Sequence, residues 1–78
     1  MFTGTQTTTT RPTISLGSTG EDVKHLQRLL NVLRFGPLVV DGIFGVATEE
    51  AVKKFQQYYG LTVDGIVGSR TWATLQSF

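Results

Sequence analysis

A chain of 78 residues is long enough for one small domain with a modest hydrophobic core. Seven basic and six acidic residues give a formal charge of +1, which is too balanced for electrostatic capture of a nucleic acid. The sequence has no cysteine and no apolar run long enough to span a membrane, so we expect neither thiol chemistry nor a membrane partner.

The first 13 residues differ in composition from the rest of the chain. Seven of them are threonine, and Met1 and Phe2 are the only large apolar residues. Such a segment buries too little surface to offset its ordering entropy, so residues 1–13 are predicted to be a flexible tail or linker and residues 14–78 the folded domain. No basic stretch precedes an apolar one here, so we expect no signal peptide.

The first helix is predicted to begin at Glu21 and to end at about Arg34, before a Gly-Pro pair. Ile14 and Leu16 precede it and are expected to attach the lead-in segment to the core. The apolar residues of the helix recur at the spacing of one helical face: Val23, Leu26, Leu29, Leu30 and Leu33. The polar residues mostly fall on the other side: Lys24, Gln27, Arg28, Asn31 and Arg34.

Two further helices are predicted in the remainder of the chain. The second runs from about Ala47 to Tyr59, with Gly60 as the residue that ends it. Its core face consists of Thr48, Ala51, Val52, Phe55 and one of Tyr58 and Tyr59. The third is short, from Ser69 to Gln76, and carries Trp72 and Leu75. Three helices with short connections predict a compact all-α three-helix bundle.

A nine-residue pattern, V-D-G-I-x-G-x-x-T, occurs at residues 40–48 and again at residues 63–71. An Asp-Gly pair is a strong turn signal, because the carboxylate accepts backbone hydrogen bonds and glycine tolerates positive φ. We therefore interpret the pattern as two quasi-equivalent turns produced by an internal duplication. Ile43 and Ile66 are expected to anchor these turns in the core.

The residues that could carry catalysis do not form a recognisable constellation. His25 is the only histidine, whereas a zinc site needs three or four ligands. The serines have no identifiable base and orienting acid, and Glu49 and Glu50 are neighbours that suit the positive end of a helix dipole. We therefore expect no catalytic residue, no metal, no cofactor and no enzymatic activity.

Recognition of a glycan or a peptide needs aromatic faces and fixed polar groups in a shallow groove. We predict a contact surface between the exit of the first helix and the first turn, formed by Phe35, Asp41, Gly42, Phe44 and Arg70, with Tyr58 or Tyr59 at its edge. Two of these residues have a structural interpretation as well: Asp41, like Asp64, can stabilise its turn, and Phe44 can belong to the core. Trp72 is expected to be partly buried, with its indole N–H on a polar partner.

Five stretches of this sequence together resemble the peptidoglycan-binding domain family, a three-helix module of cell-wall hydrolases. They are L-G-S-T-G-E-D-V-K-H-L-Q at residues 16–27, D-G-I-F-G at 41–45, T-E-E-A-V-K-K-F-Q at 48–56, G-L-T-V-D-G-I-V-G at 60–68 and T-W-A-T-L at 71–75. The resemblance covers about residues 16–75.

The resemblance implies a monomeric, non-catalytic module that attaches to the glycan strand or the stem peptide of bacterial peptidoglycan. It also implies a location in the cell wall, outside the cell or in the periplasm, and a hydrolase domain or assembly protein as a further partner. An alternative is a structural or protein-interaction domain that reuses the fold in a phage or secretion assembly. The charge balance disfavours nucleic-acid binding, and the lack of a catalytic constellation disfavours a hydrolase.

Overall fold

The computed structural model describes residues 11–78, which contain three α-helices: α1 (Glu21–Val32), α2 (Val46–Tyr58) and α3 (Ser69–Leu75). In this part of the chain, β-structure is limited to two isolated antiparallel bridges. The prediction of an all-α three-helix bundle is confirmed. None of the described helices is both long enough and apolar enough to cross a membrane.

Each of the first two helices ends in a Schellman motif, one or two residues before the predicted end. After Val32, the backbone of Arg34 takes a left-handed conformation with φ 72°, and the N–H of Phe35 donates to the carbonyl of Leu30 at 2.8 Å. Gly60 is the corresponding left-handed residue after α2, with φ 71°, and ends that helix as predicted. The first helix is shorter than predicted because Arg34, and not a glycine, adopts the helix-ending conformation.

The core combines residues of all three helices with residues of the connecting turns. Its buried apolar members are Ile14, Val23, Leu26, Leu30, Phe44, Ala51, Val52, Phe55, Val67, Trp72 and Leu75. The predicted core faces of α1 and α2 are confirmed. Trp72 is fully buried and not partly buried as predicted, and its indole N–H donates to the carbonyl of Pro12 at 2.9 Å, which confirms the polar partner.

The two isoleucines of the repeated pattern lie outside this core. Ile43 is 56 % exposed and Ile66 is 43 % exposed, so the prediction that they anchor the turns is wrong. In an extended segment, successive side chains point to opposite sides, so only one of two neighbours can face the core. The residue that follows each isoleucine takes that place: Phe44 in the first turn and Val67 in the second, both buried.

The segment before α1 lies along the domain. Arg11 Nη1 lies 2.7 Å from Asp22 Oδ1, and the buried Ile14 pairs with the second turn. Ile14 therefore attaches the lead-in to the core, as predicted, whereas Leu16 is 53 % exposed and does not. Most of the predicted flexible tail, residues 1–10, lies outside the described residues.

His25 stacks on the buried indole of Trp72, with ring centroids 6.1 Å apart and an interplanar angle of 27°. Burial lowers the pKa of His25, and the positive charges of Arg11 and Arg28 lower it further, with Asp22 acting in the opposite direction. His25 is thus half-buried against Trp72, and its lowered pKa favours the neutral form of the imidazole there.

We expect the free energy of unfolding to fall when the pH is lowered from about 7 to about 5. A histidine whose folded pKa lies below its ordinary value of 6.5 binds a proton more readily in the unfolded chain, so acid favours unfolding. Urea unfolding followed by tryptophan fluorescence over this range checks the expectation. His25→Phe keeps a ring against Trp72 without a titrating group, and an unchanged pH dependence in this variant would contradict the prediction.

Candidate functional site

A buried glutamine on α1 holds the first turn. Gln27 is 1 % exposed, and its Nε2 lies 3.1 Å from Asp41 Oδ1, 3.0 Å from the carbonyl oxygen of Ile43 and 3.1 Å from Thr48 Oγ1. Its Oε1 accepts from the N–H of Gly42 at 3.0 Å. The assignment of Gln27 to the solvent side of the helix is wrong, because the turn brings buried polar groups against α1 and they need a partner there.

A second glutamine, on α2, holds the second turn in the same way. Nε2 of Gln56 lies 3.0 Å from Asp64 Oδ1, 3.0 Å from the carbonyl oxygen of Ile66 and 3.3 Å from Thr71 Oγ1. Its Oε1 accepts from the backbone N–H of Asp64 at 3.1 Å and of Gly65 at 3.0 Å. The sequence holds a signal for this role, since both glutamines close a similar segment, V-K-H-L-Q in α1 and V-K-K-F-Q in α2.

The two aspartates stabilise their own turns. Asp41 Oδ1 accepts from the N–H of Ile43 at 3.0 Å, and Asp64 Oδ1 accepts from the N–H of Ile66 at 2.9 Å. These backbone hydrogen bonds, together with those from the glutamine amides, lower the pKa of both carboxyl groups. Both side chains therefore remain anionic at neutral pH.

Acid is expected to weaken both turns. A carboxyl group whose pKa in the folded chain lies below its ordinary value of 3.8 stabilises the fold at pH values above 3.8. This stabilisation is lost as the pH falls through the folded pKa. Circular dichroism of the unfolding transition from about pH 5 to about pH 2 measures the loss. Asp64→Asn keeps an oxygen acceptor but does not titrate, so its transition should depend less on pH than that of the unmodified chain. An equal dependence would contradict the assignment.

Each turn borders a surface pocket. The first-turn pocket has a volume of 330 Å³ and is lined by residues that include Gln27, Leu38, Asp41, Ile43, Ala47 and Thr48. The second-turn pocket has a volume of 270 Å³ and is lined by residues that include Gln56, Leu61, Asp64, Ile66, Arg70 and Thr71. Apart from the glutamines, every residue that lines the second-turn pocket lies 23 positions after one that lines the first-turn pocket.

The pockets differ in their chemistry because a few of the matched positions carry different residue types. Arg70 in the second-turn pocket corresponds to Ala47 in the first. Ser69 likewise corresponds to Val46, so the second-turn pocket is the more polar and contains a cation. Neither ion pair within residues 11–78 involves Arg70.

Five aromatic side chains form a connected group, in which the buried Phe55 contacts Phe35 and Tyr59. The other four, which we call the aromatic cluster, are Phe35, Tyr58, Tyr59 and Phe78. Ring centroids lie 5.9 Å apart for Phe35 and Tyr58, 4.9 Å for Tyr58 and Tyr59, and 5.2 Å for Tyr59 and Phe78. Tyr58 is 74 % exposed, whereas Tyr59 packs against the core, so one tyrosine points inward and the other is accessible, as predicted. Phe35 is half-buried.

The structure distributes the seven predicted contact residues over different places. Three of them lie in the aromatic cluster. Asp41 and Gly42 belong to the first turn, and Arg70 lines the second-turn pocket. Phe44 packs in the core with almost no accessible surface, so the interpretation of this residue as structural is the correct one. The single groove predicted from the sequence is therefore not formed by all of these side chains.

The interior of the turns contains no unused polar group. Within residues 11–78, every buried side-chain nitrogen or oxygen atom has a hydrogen-bond partner. No three His, Cys, Asp or Glu side chains of this region are placed to hold a metal ion together. What the described surface offers is a set of contacts for binding: exposed aromatic rings, the pockets at the two turns, and the guanidinium group of Arg70 in one of them.

The family of the chain follows from comparison with known proteins. Residues 19–75 match the family described as putative peptidoglycan binding domain, and this stretch includes all three helices and both turns. The chain belongs to this family.

Relatives of this peptidoglycan-binding domain include cell-wall enzymes. A spore cortex-lytic enzyme of Halalkalibacterium halodurans is 41 % identical over 81 % of the chain and 19 % of the enzyme. The zinc D-Ala-D-Ala carboxypeptidase of Streptomyces albus G is 48 % identical over 77 % of the chain and 24 % of the enzyme. The chain thus spans a quarter or less of the length of these two relatives. The crystal structure of the SleB N-terminal domain superimposes with a TM-score of 0.80 at 42 % identity, over 82 % of this chain and 88 % of that one.

Proposed function

We propose that this chain is a non-catalytic module that attaches to bacterial peptidoglycan. The observation that carries the proposal is the family match over residues 19–75, in a domain whose two turns are held by the buried glutamines Gln27 and Gln56. Two relatives are named as enzymes, and the chain corresponds to a small part of each. The module accordingly serves as a monomeric anchor for a hydrolase or an assembly protein, in the cell wall, outside the cell or in the periplasm.

The aromatic cluster and Arg70 are the proposed contacts with peptidoglycan. Tyr58 is largely exposed to solvent, and its ring packs against those of Phe35 and Tyr59. A ring that is already ordered loses little conformational entropy when a ligand covers it. Arg70 adds a charged group in a pocket, as recognition of a polar ligand requires. Asp41 and Gly42 contribute by keeping the first turn in shape.

Co-sedimentation with purified sacculi tests the proposal. The purified chain should enter the pellet, and Tyr58→Ala and Arg70→Ala should each weaken binding by about 10-fold, since central aromatic and arginine contacts carry most of the affinity of an interface. Phe35→Ala and Tyr59→Ala should also reduce binding, because both rings support Tyr58. Gln57→Ala, on the exposed side of α2, is the matched control and should bind normally.

Two outcomes would contradict these proposals. Unchanged sedimentation of all four folded variants would remove the aromatic cluster and Arg70 from the contact surface. A chain that stays in the supernatant at every sacculus concentration would contradict peptidoglycan attachment itself.

A further inference from the structure

Comparison of the two pockets shows which side chains the fold requires and which are specific to the second-turn pocket. The polar positions with the same residue type in both pockets have a structural role, because the glutamines and aspartates, with Thr48 and Thr71, close the hydrogen-bond networks of the turns. Of the four positions that differ, Gly60 ends α2, and the other three have no such role. The side chains of Thr62, Ser69 and Arg70 are exposed and make no hydrogen bond or ion pair with the described residues.

We propose that the second-turn pocket binds a zwitterionic amino-acid group, with Arg70 contacting its carboxylate and Asp64 its ammonium. This inference rests on the proposed function and specifies it further, because free ammonium and carboxylate groups occur on the stem peptide of peptidoglycan and not on its glycan strand. The ligand is therefore the peptide part of the polymer.

The charges in the pocket favour such a ligand over the alternatives. A guanidinium forms two parallel hydrogen bonds with a carboxylate, and Arg70 has no competing ion pair within the described residues. Asp64 lines the same pocket, and the hydrogen bonds it accepts from Ile66 and Gln56 both end on Oδ1, which leaves Oδ2 for a ligand. A ligand with anionic groups only would be repelled by Asp64, and an uncharged sugar would form no ion pair with either side chain.

The first-turn pocket is an internal comparison. It keeps an aspartate, Asp41, in the same hydrogen-bond network, but it has Ala47 at the position of Arg70. Without a cation it cannot pair with the carboxylate of a zwitterion. Of the two turn pockets, only the second should therefore bind a zwitterionic amino acid, and the two can be distinguished in one experiment.

Amide NMR spectra of the full chain, titrated with meso-diaminopimelic acid, test the proposal. This probe has an ammonium and a carboxylate at each end, whereas chitotetraose represents the glycan strand. We expect saturable shifts at residues 62–71 with meso-diaminopimelic acid and none there with chitotetraose. Arg70→Ala should weaken binding about 10-fold or more, and Asp64→Asn, which keeps the oxygen acceptor of the turn, should weaken it as well. Arg28→Ala removes an exposed charge on α1 and should leave binding unchanged.

The opposite results would overturn the proposal. They are an absence of shifts at residues 62–71 with meso-diaminopimelic acid, equal shifts with chitotetraose, or unchanged affinity of the Arg70→Ala variant in a spectrum that shows a folded protein. Sacculus sedimentation of the same samples separates this failure from failure of the proposed function. A chain that pellets with sacculi but does not bind meso-diaminopimelic acid attaches to peptidoglycan through another surface. A chain that does not sediment with sacculi contradicts the proposed function.

Discussion

The Gln56→Ala variant is expected to unfold with a free energy about 2–4 kcal/mol below that of the unmodified chain. The substitution leaves the buried N–H of Gly65 without its acceptor at 3.0 Å, and the carbonyl of Ile66 without its donor at 3.0 Å. A domain of this size has a stability of only several kcal/mol, so the variant should be close to unfolded at room temperature.

Urea unfolding followed by circular dichroism provides the measurement, and the neighbouring glutamine provides the control. Gln57 is exposed, so Gln57→Ala removes the same atoms from the next position of α2 without affecting a turn. Its stability should stay within about 0.5 kcal/mol of the unmodified chain. Similar transitions for Gln56→Ala and Gln57→Ala would show that the buried carboxamide does not hold the second turn. Gln27→Ala should behave like Gln56→Ala, because Gln27 has the same role at the first turn.

Trp72→Ala should destabilise the domain by about 3–5 kcal/mol, the range found when a large buried aromatic side chain is removed. Trp72 is fully buried, and its indole contacts elements that are distant in sequence. His25 of α1 stacks on one part of it, and the carbonyl of Pro12 accepts its N–H bond at 2.9 Å. Removal of the ring therefore affects α1, α3 and the lead-in segment together.

The Trp72 series requires circular dichroism, because this residue is the only tryptophan and its loss abolishes the tryptophan fluorescence signal. Trp72→Phe keeps most of the apolar volume but loses the hydrogen bond to Pro12, so its stability should lie between that of Trp72→Ala and that of the unmodified chain. Phe78→Ala, which removes an exposed ring, should change stability by less than about 1 kcal/mol. A Trp72→Ala variant as stable as Phe78→Ala would contradict the assignment of Trp72 to the core.

The helices could be predicted because their signal is local. Apolar residues such as Val23, Leu26 and Leu30 recur with the period of a helix, and this period directly identifies the buried face. The end of α1 is harder to predict. A glycine is the usual residue for the left-handed conformation that ends a helix, and here Arg34 adopts it. Whether a residue other than glycine adopts that conformation depends on its tertiary contacts, and a local sequence pattern gives no information about them.

The site could be predicted only in part, because it depends on which segments meet. Polarity favours the outside of α1 for Gln27, yet the first turn packs over that position and surrounds it with hydrogen-bonding groups. The choice between Ile43 and Phe44 as the core residue depends on which side of an extended segment faces the core. Because both residues are apolar, the sequence does not decide between the two sides. Arg70 is predicted to lie near the first turn, but it lines the equivalent pocket at the second turn, 23 positions further along the chain.

We infer that this small domain binds peptidoglycan and does not cleave it. The most direct measurement combines sedimentation of the purified chain with sacculi and analysis of the supernatant for soluble muropeptides. We predict that the chain enters the pellet in a saturable manner, at low and at moderate salt, and that no muropeptides are released. A chain that remains in the supernatant would overturn the assignment of peptidoglycan binding, and a chain that releases muropeptides on its own would overturn the assignment of a non-catalytic role.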